Sequence, residues 1–328
     1  MRAVTISSPG GTDVLSWSHV PDVHPGPGEL LVDVAAAGVN RADILQREGR
    51  YPPPEGAPDW PGLEVSGRVA AVGPGVSGWA VGDPVCALLS GGGYAERAVV
   101  PAALALPVPD GVSLREAAAL PEAAATAWSN LVDAARLRPG ETVLVHGGSG
   151  GVGSVAVQLA AALGARVIAT ARDAERCALV RELGADVVIA YADDDVPATV
   201  LEETGGQGVD VVLDILGAGA LEANLRCLAT GGRLVVIGLQ RGRRAEIDLG
   251  VLLAKRLSVA GTTLRSRPLA ERAAIIADLR EHVWPLVASG LVRPVVHAEV
   301  PLDRAGDAHA LLESGEVFGK VLLVPPGD

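Results

Sequence analysis

Four glycines fall within six residues, Gly148-Ser149-Gly150-Gly151-Val152-Gly153, following the apolar stretch Thr142–His146 and opening the amphipathic segment Gly151–Leu163. A strand, a turn without side chains and a helix in that order let backbone approach a pyrophosphate, which then sits at the positive end of the helix near free N–H groups. A glycine-rich loop that binds nothing would need no such flanks. The strand–turn–helix context therefore makes Gly148, Gly150, Gly151, Val152 and Gly153 candidate dinucleotide contacts.

The segments downstream keep that rhythm. Arg166–Thr170 reads as a strand and Asp173–Leu183 as a helix. Asp186–Ala190, Val209–Ile215, Leu234–Gly238 and Leu257–Thr263 read as further strands with helical pieces between them. Such alternation implies parallel pairing in a doubly wound α/β sheet. Leu257–Thr263, the sixth strand, would lie at the sheet edge and offer unpaired backbone groups to a second copy of the chain. Upstream the pattern is β-rich, with Glu29–Val34 and Leu63–Val72 set between Gly and Pro clusters. Tyr51-Pro52-Pro53-Pro54 fits only a loop, because proline removes donors and fixes φ. Leu114–Ala135 is Ala-rich and looks helical, Pro268–Ser289 reads as one long helix, and Lys320–Val324 reads as a strand that rejoins the first domain. The expected division is residues 1–122 with 265–328 as a discontinuous β-rich domain, and 123–264 as the dinucleotide-binding domain.

The second strand of the dinucleotide unit ends Ala169-Thr170-Ala171-Arg172, with Arg176 one helical turn further on. Ala171 stands where an NAD site usually carries an acid for the ribose hydroxyls. An arginine can instead grip the 2′-phosphate of NADP through paired hydrogen bonds. Asp173 either takes the hydroxyl role or caps the following helix, and the arginines could also be ordinary solvated charges. On these residues the expected cofactor is NADP.

Composition removes other classes. A net charge of −12 disfavours nucleic-acid binding. The first ten residues do not read as a signal peptide, and no apolar run has membrane-spanning length. Cys86, Cys177 and Cys227 are the three cysteines and lie far apart, which suits a reducing cytoplasm rather than a disulfide framework. The six histidines, His19, His24, His146, His282, His297 and His309, have no ligand-like spacing and read as surface or structural residues.

Taken with Gly38-Val39-Asn40-Arg41-Ala42-Asp43, Gly62-Leu63-Glu64-Val65-Ser66-Gly67, Gly82-Asp83-Pro84-Val85 and the stretch Gly140–Gln158, the sequence resembles the zinc-independent medium-chain dehydrogenase/reductase family, in its quinone oxidoreductase (zeta-crystallin-like) branch. The resemblance runs over essentially the whole chain. Ala161 departs from it, standing where a basic residue or serine is usual. Gly49-Arg50-Tyr51-Pro52-Pro53-Pro54 and Leu88-Leu89-Ser90-Gly91-Gly92-Gly93 are most similar to the stress-inducible NADPH quinone reductases. The resemblance implies a GroES-like first domain, a Rossmann second domain, a cleft between them and a homodimer. It also implies that Thr126, Gly150, Gly151, Val152, Arg172, Arg176 and Tyr191 touch NADP, and that Gly217, Gly238, Leu239, Thr263 and Leu264 line its nicotinamide half. Tyr191 could equally be a half-exposed loop residue.

Zinc-dependent relatives place a cysteine where Asn40 stands and Gly-His-Glu where Gly62-Leu63-Glu64 stands, and their second zinc lobe needs four clustered cysteines. The chain has neither set, so no metal is expected and alcohol oxidation by a Lewis acid is disfavoured. Candidates to stabilise charge on a substrate oxygen are Asn40, Asp43 and Tyr51, with Asp43 equally suited to shaping its own loop. Three readings follow: an NADPH:quinone reductase acting on a quinone or similar conjugated carbonyl, an enoyl thioester or enone reductase, and a crystallin-like protein without catalysis.

Overall fold

The computed structural model describes residues 1–327. The chain separates into two compact units, one of Met1–Ala125 with Leu264–Asp328 and the other of Thr126–Thr263.

The first unit is β-rich. A hairpin joins β1 (Arg2–Ile6) to β2 (Leu15–His19). A larger sheet takes β3 (Glu29–Gly38), β4 (Glu64–Val72), β5 (Pro84–Leu88), β6 (Arg97–Pro101) and β7 (Ala105–Pro107) from the first segment. It takes β14 (Val296–Pro301) and β15 (Lys320–Val324) from the last. The order is β14–β15–β3–β4–β5–β7, with β6 pairing to β3. In β3, Leu30, Val32 and Val34 alternate into a core with Val65, Val69, Val85, Tyr94, Leu302 and Leu323, and Ala37 joins them after a register shift between Val34 and Ala36. The helix α1 (Arg41–Arg47) interrupts this β-rich region. The Asp43 N–H donates to the Asn40 backbone oxygen at 3.0 Å while the Asp43 carboxylate accepts from the Asn40 N–H at 2.8 Å, a reciprocal closure that starts the helix where β3 ends.

The second unit holds β8 (Thr142–Val145), β9 (Arg166–Ala171), β10 (Val187–Ala190), β11 (Val209–Asp214), β12 (Leu228–Val236) and β13 (Ser258–Gly261), in the order β10–β9–β8–β11–β12–β13. Every pairing is parallel. Leu144, Ile168, Ile189, Val212 and Leu234 share one core cluster, which is why the strands read as short apolar runs rather than alternating ones. The order reverses between β8 and β11, and ligands of such sheets sit outside the carboxyl ends of the strands at that switch point.

Three readings from periodicity need correction. Leu114–Ala135 is not one helix: Glu116–Ala119 is a 3₁₀ turn, α2 (Pro121–Trp128) begins afresh, and Ser129–Ala134 widens to π geometry. Pro121 lacks an N–H and so starts a helix rather than continuing one. Pro268–Ser289 is likewise divided, into Leu269–Asp278, a π stretch at Leu279–Val283 and Trp284–Ala288, because Pro285 cannot donate back into the preceding turn. β12 begins six residues before Leu234, at Leu228, across a register irregularity opposite Val209 and Val211.

Candidate functional site

At the switch point, β8 runs into a turn whose first residue, Gly147, has φ of +68°, a conformation that glycine adopts without strain. A Cβ on Gly153 would stand 2.0 Å from the Gly147 oxygen, so α3 (Gly151–Ala162) packs against the turn only if that residue is glycine. Around Gly150, by contrast, a Cβ would meet only the Gly147 oxygen, at 3.4 Å, and Gly150 heads α3 without a side-chain cap. The open backbone and uncapped helix start suit the phosphates of a dinucleotide.

A buried network braces this turn. The Gly147 N–H donates to Thr170 Oγ1 at 3.1 Å. The Thr170 hydroxyl lies 3.3 Å from His146 Nδ1, and His146 Nε2 lies 2.7 Å from Asn224 Oδ1. Burial holds the His146 pKa below its ordinary value, so the ring is neutral. Its Nε2–H then donates to Asn224 and Nδ1 accepts from Thr170. Asp214, at the end of β11, accepts from the N–H groups of Leu216 (3.0 Å) and Gly217 (2.8 Å).

The expected cofactor residues of this unit take varied positions. Gly148 is buried, Gly151 and Val152 are partly open, and Gly238 is half-buried while Leu239 is exposed. Thr126 accepts from Asn130 Nδ2 through its backbone oxygen at 2.7 Å, and Thr263 is exposed beyond β13. Arg172 is exposed. Arg176 donates to Asp173 Oδ2 at 2.6 Å, and Asp173 also caps α4 (Ala174–Glu182) by accepting from the Arg176 N–H at 2.9 Å. Tyr191 is 40% exposed, and the Arg241 guanidinium sits 6.0 Å from its ring centroid. Arg241 escaped the sequence reading, although the basic run Arg241-Gly242-Arg243-Arg244 carried a signal.

In the first unit the centre is Glu64 on β4, which is fully buried. It accepts from Lys320 Nζ at 2.5 Å, from Asn40 Nδ2 at 2.9 Å and from the Glu122 N–H at 2.9 Å. Lys320 also donates to Asn40 Oδ1 at 2.6 Å. With a second contact from Asn40 Nδ2 to the Gly38 oxygen at 3.3 Å, both ends of the Asn40 amide are engaged within the protein. Asp43 is just as enclosed: it accepts from the N–H groups of Asn40 (2.8 Å) and Gly62 (2.9 Å) and from the Tyr94 hydroxyl (3.2 Å). Burial raises its pKa to about 6 against the pull of those two N–H groups. Tyr94 also contacts His309, which meets Arg47, and Arg47 makes two 3.0 Å bonds to Glu313.

Tyr51 is half-buried, with the Arg265 guanidinium 5.3 Å from its ring centroid. Arg265 also donates to the Ser90 oxygen (2.6 Å) and to Gln46 Oε1 (2.8 Å), tying α1 to the Tyr51 loop and the Ser90 loop. Burial raises the Tyr51 pKa, and the Arg265 charge partly counters it. Leu264 is buried beside Arg265 in sequence. Lys320, Glu122, Tyr94 and Arg265 were all missed in the sequence: each lies far along the chain from the motif residues it meets, and only the tertiary fold brings it near.

A β-rich unit of this kind and a parallel-sheet unit with a glycine turn define a medium-chain dehydrogenase/reductase. The sequence matches the alcohol dehydrogenase GroES-like domain family over residues 26–110 and the zinc-binding dehydrogenase family over 151–284. It is 36% identical to the quinone oxidoreductase of Rattus norvegicus over 327 residues, 99% of this chain and 98% of that protein. The Escherichia coli quinone oxidoreductase solved with NADPH superposes with a TM-score of 0.89 at 32% identity, covering 99% of this chain and 100% of that one. A mycocerosic acid synthase-like polyketide synthase of Mycobacterium tuberculosis is 35% identical over 98% of this chain, which spans 15% of that enzyme. The chain belongs to the medium-chain dehydrogenase/reductase family of oxidoreductases, in its quinone oxidoreductase branch.

The matched family's name invites a test of whether zinc fits. Asn40 and Leu63 stand at the cysteine and histidine positions, the Asn40 amide is taken up, and an ammonium already lies between Asn40 and Glu64. Among the described residues no group of three or more His, Cys, Asp or Glu is placed to hold a metal ion. This donor set does not fit zinc.

The ammonium is the counter-charge of a carboxylate that has no contact with water. Lys320→Met should cost about 3–5 kcal/mol in urea unfolding, since it leaves a buried charge unpaired, and Lys320→Met/Glu64→Gln should lose less than the single variant. A loss no larger than that of an exposed pair, about 0–1 kcal/mol, would show that the pair does not hold the site together.

Proposed function

We propose that the chain is an NADPH-dependent reductase that works without a metal and passes a hydride to a quinone or similar conjugated carbonyl. The observation that carries this reading is the joint presence of an open, uncapped glycine turn and of a buried polar centre filled by the Lys320 ammonium rather than by ligands for a Lewis acid. The likeness to quinone oxidoreductases over nearly the full length of both chains supports it.

When bound, the nicotinamide cofactor supplies the hydride. The N–H groups of Gly151 and Val152 would hold its phosphates, while the Gly150 N–H closes the turn on the Gly147 oxygen at 2.9 Å and Gly148, Gly150 and Gly153 allow the backbone to approach. Arg172 and Arg176 grip the 2′-phosphate, Arg176 by exchanging its bond to Asp173. Tyr191 and Arg241 stack at the adenosine end, and Thr126, Gly217, Gly238, Leu239, Thr263 and Leu264 serve the nicotinamide end. The hydroxyl of Tyr51, steadied by Arg265, donates to the substrate oxygen. Asn40 and Asp43 act behind it: their polar atoms are engaged in shaping the loop, which makes them positioning residues.

Reduction of an enoyl thioester or enone is the second reading, favoured by the match to a polyketide synthase over 98% of this chain. The two put different demands on Tyr51. An enolate needs its charge held at oxygen while a proton reaches carbon, which draws on the Tyr51 hydroxyl, whereas the oxygens of a reduced quinone can take a proton from any nearby acid. NADPH oxidation across quinones, alkenals and enoyl thioesters should favour quinones. Tyr51→Phe should then cost about tenfold or less, mainly in KM. A kcat loss of roughly 10²-fold with a thioester, alongside negligible turnover of quinones, would assign the enoyl reaction instead.

Fluorescence titration should show NADPH favoured over NADH by on the order of tenfold, the worth of a charge-assisted contact. Arg172→Ala should erase much of that preference, and equal affinities in the parent would sink the NADP assignment.

We also place the protein in the cytoplasm as a homodimer. No described helix is long and apolar enough to cross a membrane, and the three cysteines are buried and unpaired. β13 is an edge strand, and Val259 on it is exposed, as are Leu249 and Leu253 on the helix before it. Joining two such edges would cover that apolar surface. Native mass spectrometry should find two chains and no zinc; a monomer, or one tightly held zinc per chain, would overturn the corresponding half of this proposal.

A further inference from the structure

Glu122 occupies the first turn of α2, fixed there by the bond from its own N–H to Glu64. Its side chain is half-buried, yet its carboxyl makes no hydrogen bond or ion pair with any described residue. The Tyr51 hydroxyl is in the same condition. Their surroundings are otherwise well bonded: Arg265 is fixed to Gln46 and the Ser90 oxygen, and Arg272 donates to Ser90 Oγ at 2.6 Å. Arg272 Nε, also buried, lacks a partner as well. Unbonded polar groups gathered in one place, among neighbours that are satisfied, mark where a ligand belongs.

The charged and titratable groups acting on Glu122 are Glu64 on β4, Lys320 on β15, Asp43 on α1, Arg265, Arg272 on the helix Leu269–Asp278, and Tyr51. Burial first, and the negative charge of Glu64 second, push its pKa up to about 8 over the opposing charges of Lys320 and Arg265. At neutral pH it is a carboxylic acid that keeps its proton, the condition needed of a proton donor.

We propose that Glu122 is the general acid of the reaction, giving its proton to the substrate anion that hydride transfer leaves behind. The inference rests on the reductase reading above and adds a catalytic residue to it. A quinone that has received a hydride from reduced nicotinamide holds two more electrons and one more hydrogen, and carries one negative charge on oxygen. The O–H bond of Glu122 breaks, a new O–H bond forms on the substrate, and the resulting carboxylate recovers its proton from water. The sum is quinone, reduced nicotinamide and one proton giving hydroquinone and oxidised nicotinamide. For an enone the same proton ends on carbon.

The variant Glu122→Gln keeps the backbone bond to Glu64 and the shape of the acid but holds no transferable proton. Infrared spectroscopy on the cofactor-free protein should show a protonated-carboxyl band that titrates near pH 8 and is missing in the variant. Because the folded pKa lies above the ordinary 4.5, the folded state binds the extra proton and parent stability falls as pH rises from about 4.5 to 8. The variant lacks that decline, so its Tm relative to the parent should climb across the same window. With NADPH and a quinone, Glu122→Gln should lower kcat by roughly 10²-fold or more with little change in KM. It should also flatten the alkaline limb of the pH profile, which Glu122→Asp should restore in part. Parent turnover with Glu122→Gln within about twofold of it, or a variant that keeps the carboxyl band, would overturn the proposal. A parent that fails to oxidise NADPH with every quinone, alkenal and enoyl thioester would overturn the reductase reading, and this inference with it, even if the band were present.

Discussion

A single carboxylate with no access to water organises the first unit. Glu64 binds an ammonium from the last strand, an amide from the end of β3 and a backbone N–H from the first turn of α2, so three separated pieces of chain meet on two oxygens. The arrangement leaves no room for a side chain at Gly38, where a Cβ would approach Glu64 Oε1 to 2.3 Å. A buried pair of this type adds little net stability over an apolar substitute, because desolvation offsets its Coulomb gain. It ties the start of β15 to β4 across the end of β3, where Leu322 pairs with Gly38. The discontinuous unit is closed at that point, and the candidate site is built around the same atoms.

A second network continues outward from that centre. Asp43 engages Tyr94, Tyr94 meets His309, and His309 meets Arg47, which is held by Glu313 near the surface. Burial, and then the charge of Arg47, lower the His309 pKa to about 4, so the histidine is neutral and serves as a link rather than a charge. Most of the polar groups here are spent on one another. Asn40 and Asp43, which looked like groups offered to a substrate, are the frame, while Tyr51 and Glu122 keep free polar ends.

The second unit solves a different problem, keeping backbone donors open in a crowded place. Gly153 lets α3 come down on the turn, Thr170 and His146 brace the turn from beneath, and Asp214 satisfies the N–H groups at the end of β11. The side chains bind the scaffold so that the N–H groups at the start of α3 stay unclaimed.

Periodicity and glycine spacing by themselves determined the parallel sheet, the turn at Gly148–Gly153 and the β-rich first unit, because each is a local property: a strand, turn or helix start is set by neighbours within a few residues. Local reading failed where proline cuts helices, at Pro121 and Pro285, since apolar spacing alone does not register a lost donor. The site itself was only half legible. Asn40, Asp43 and Tyr51 stood in recognisable runs, but nothing near Lys320 in sequence announces that its ammonium lies against Glu64, 256 positions away. The roles of these residues depend on which polar atoms are already satisfied, and that is a matter of partners brought together across the sheet, which only the tertiary structure decides.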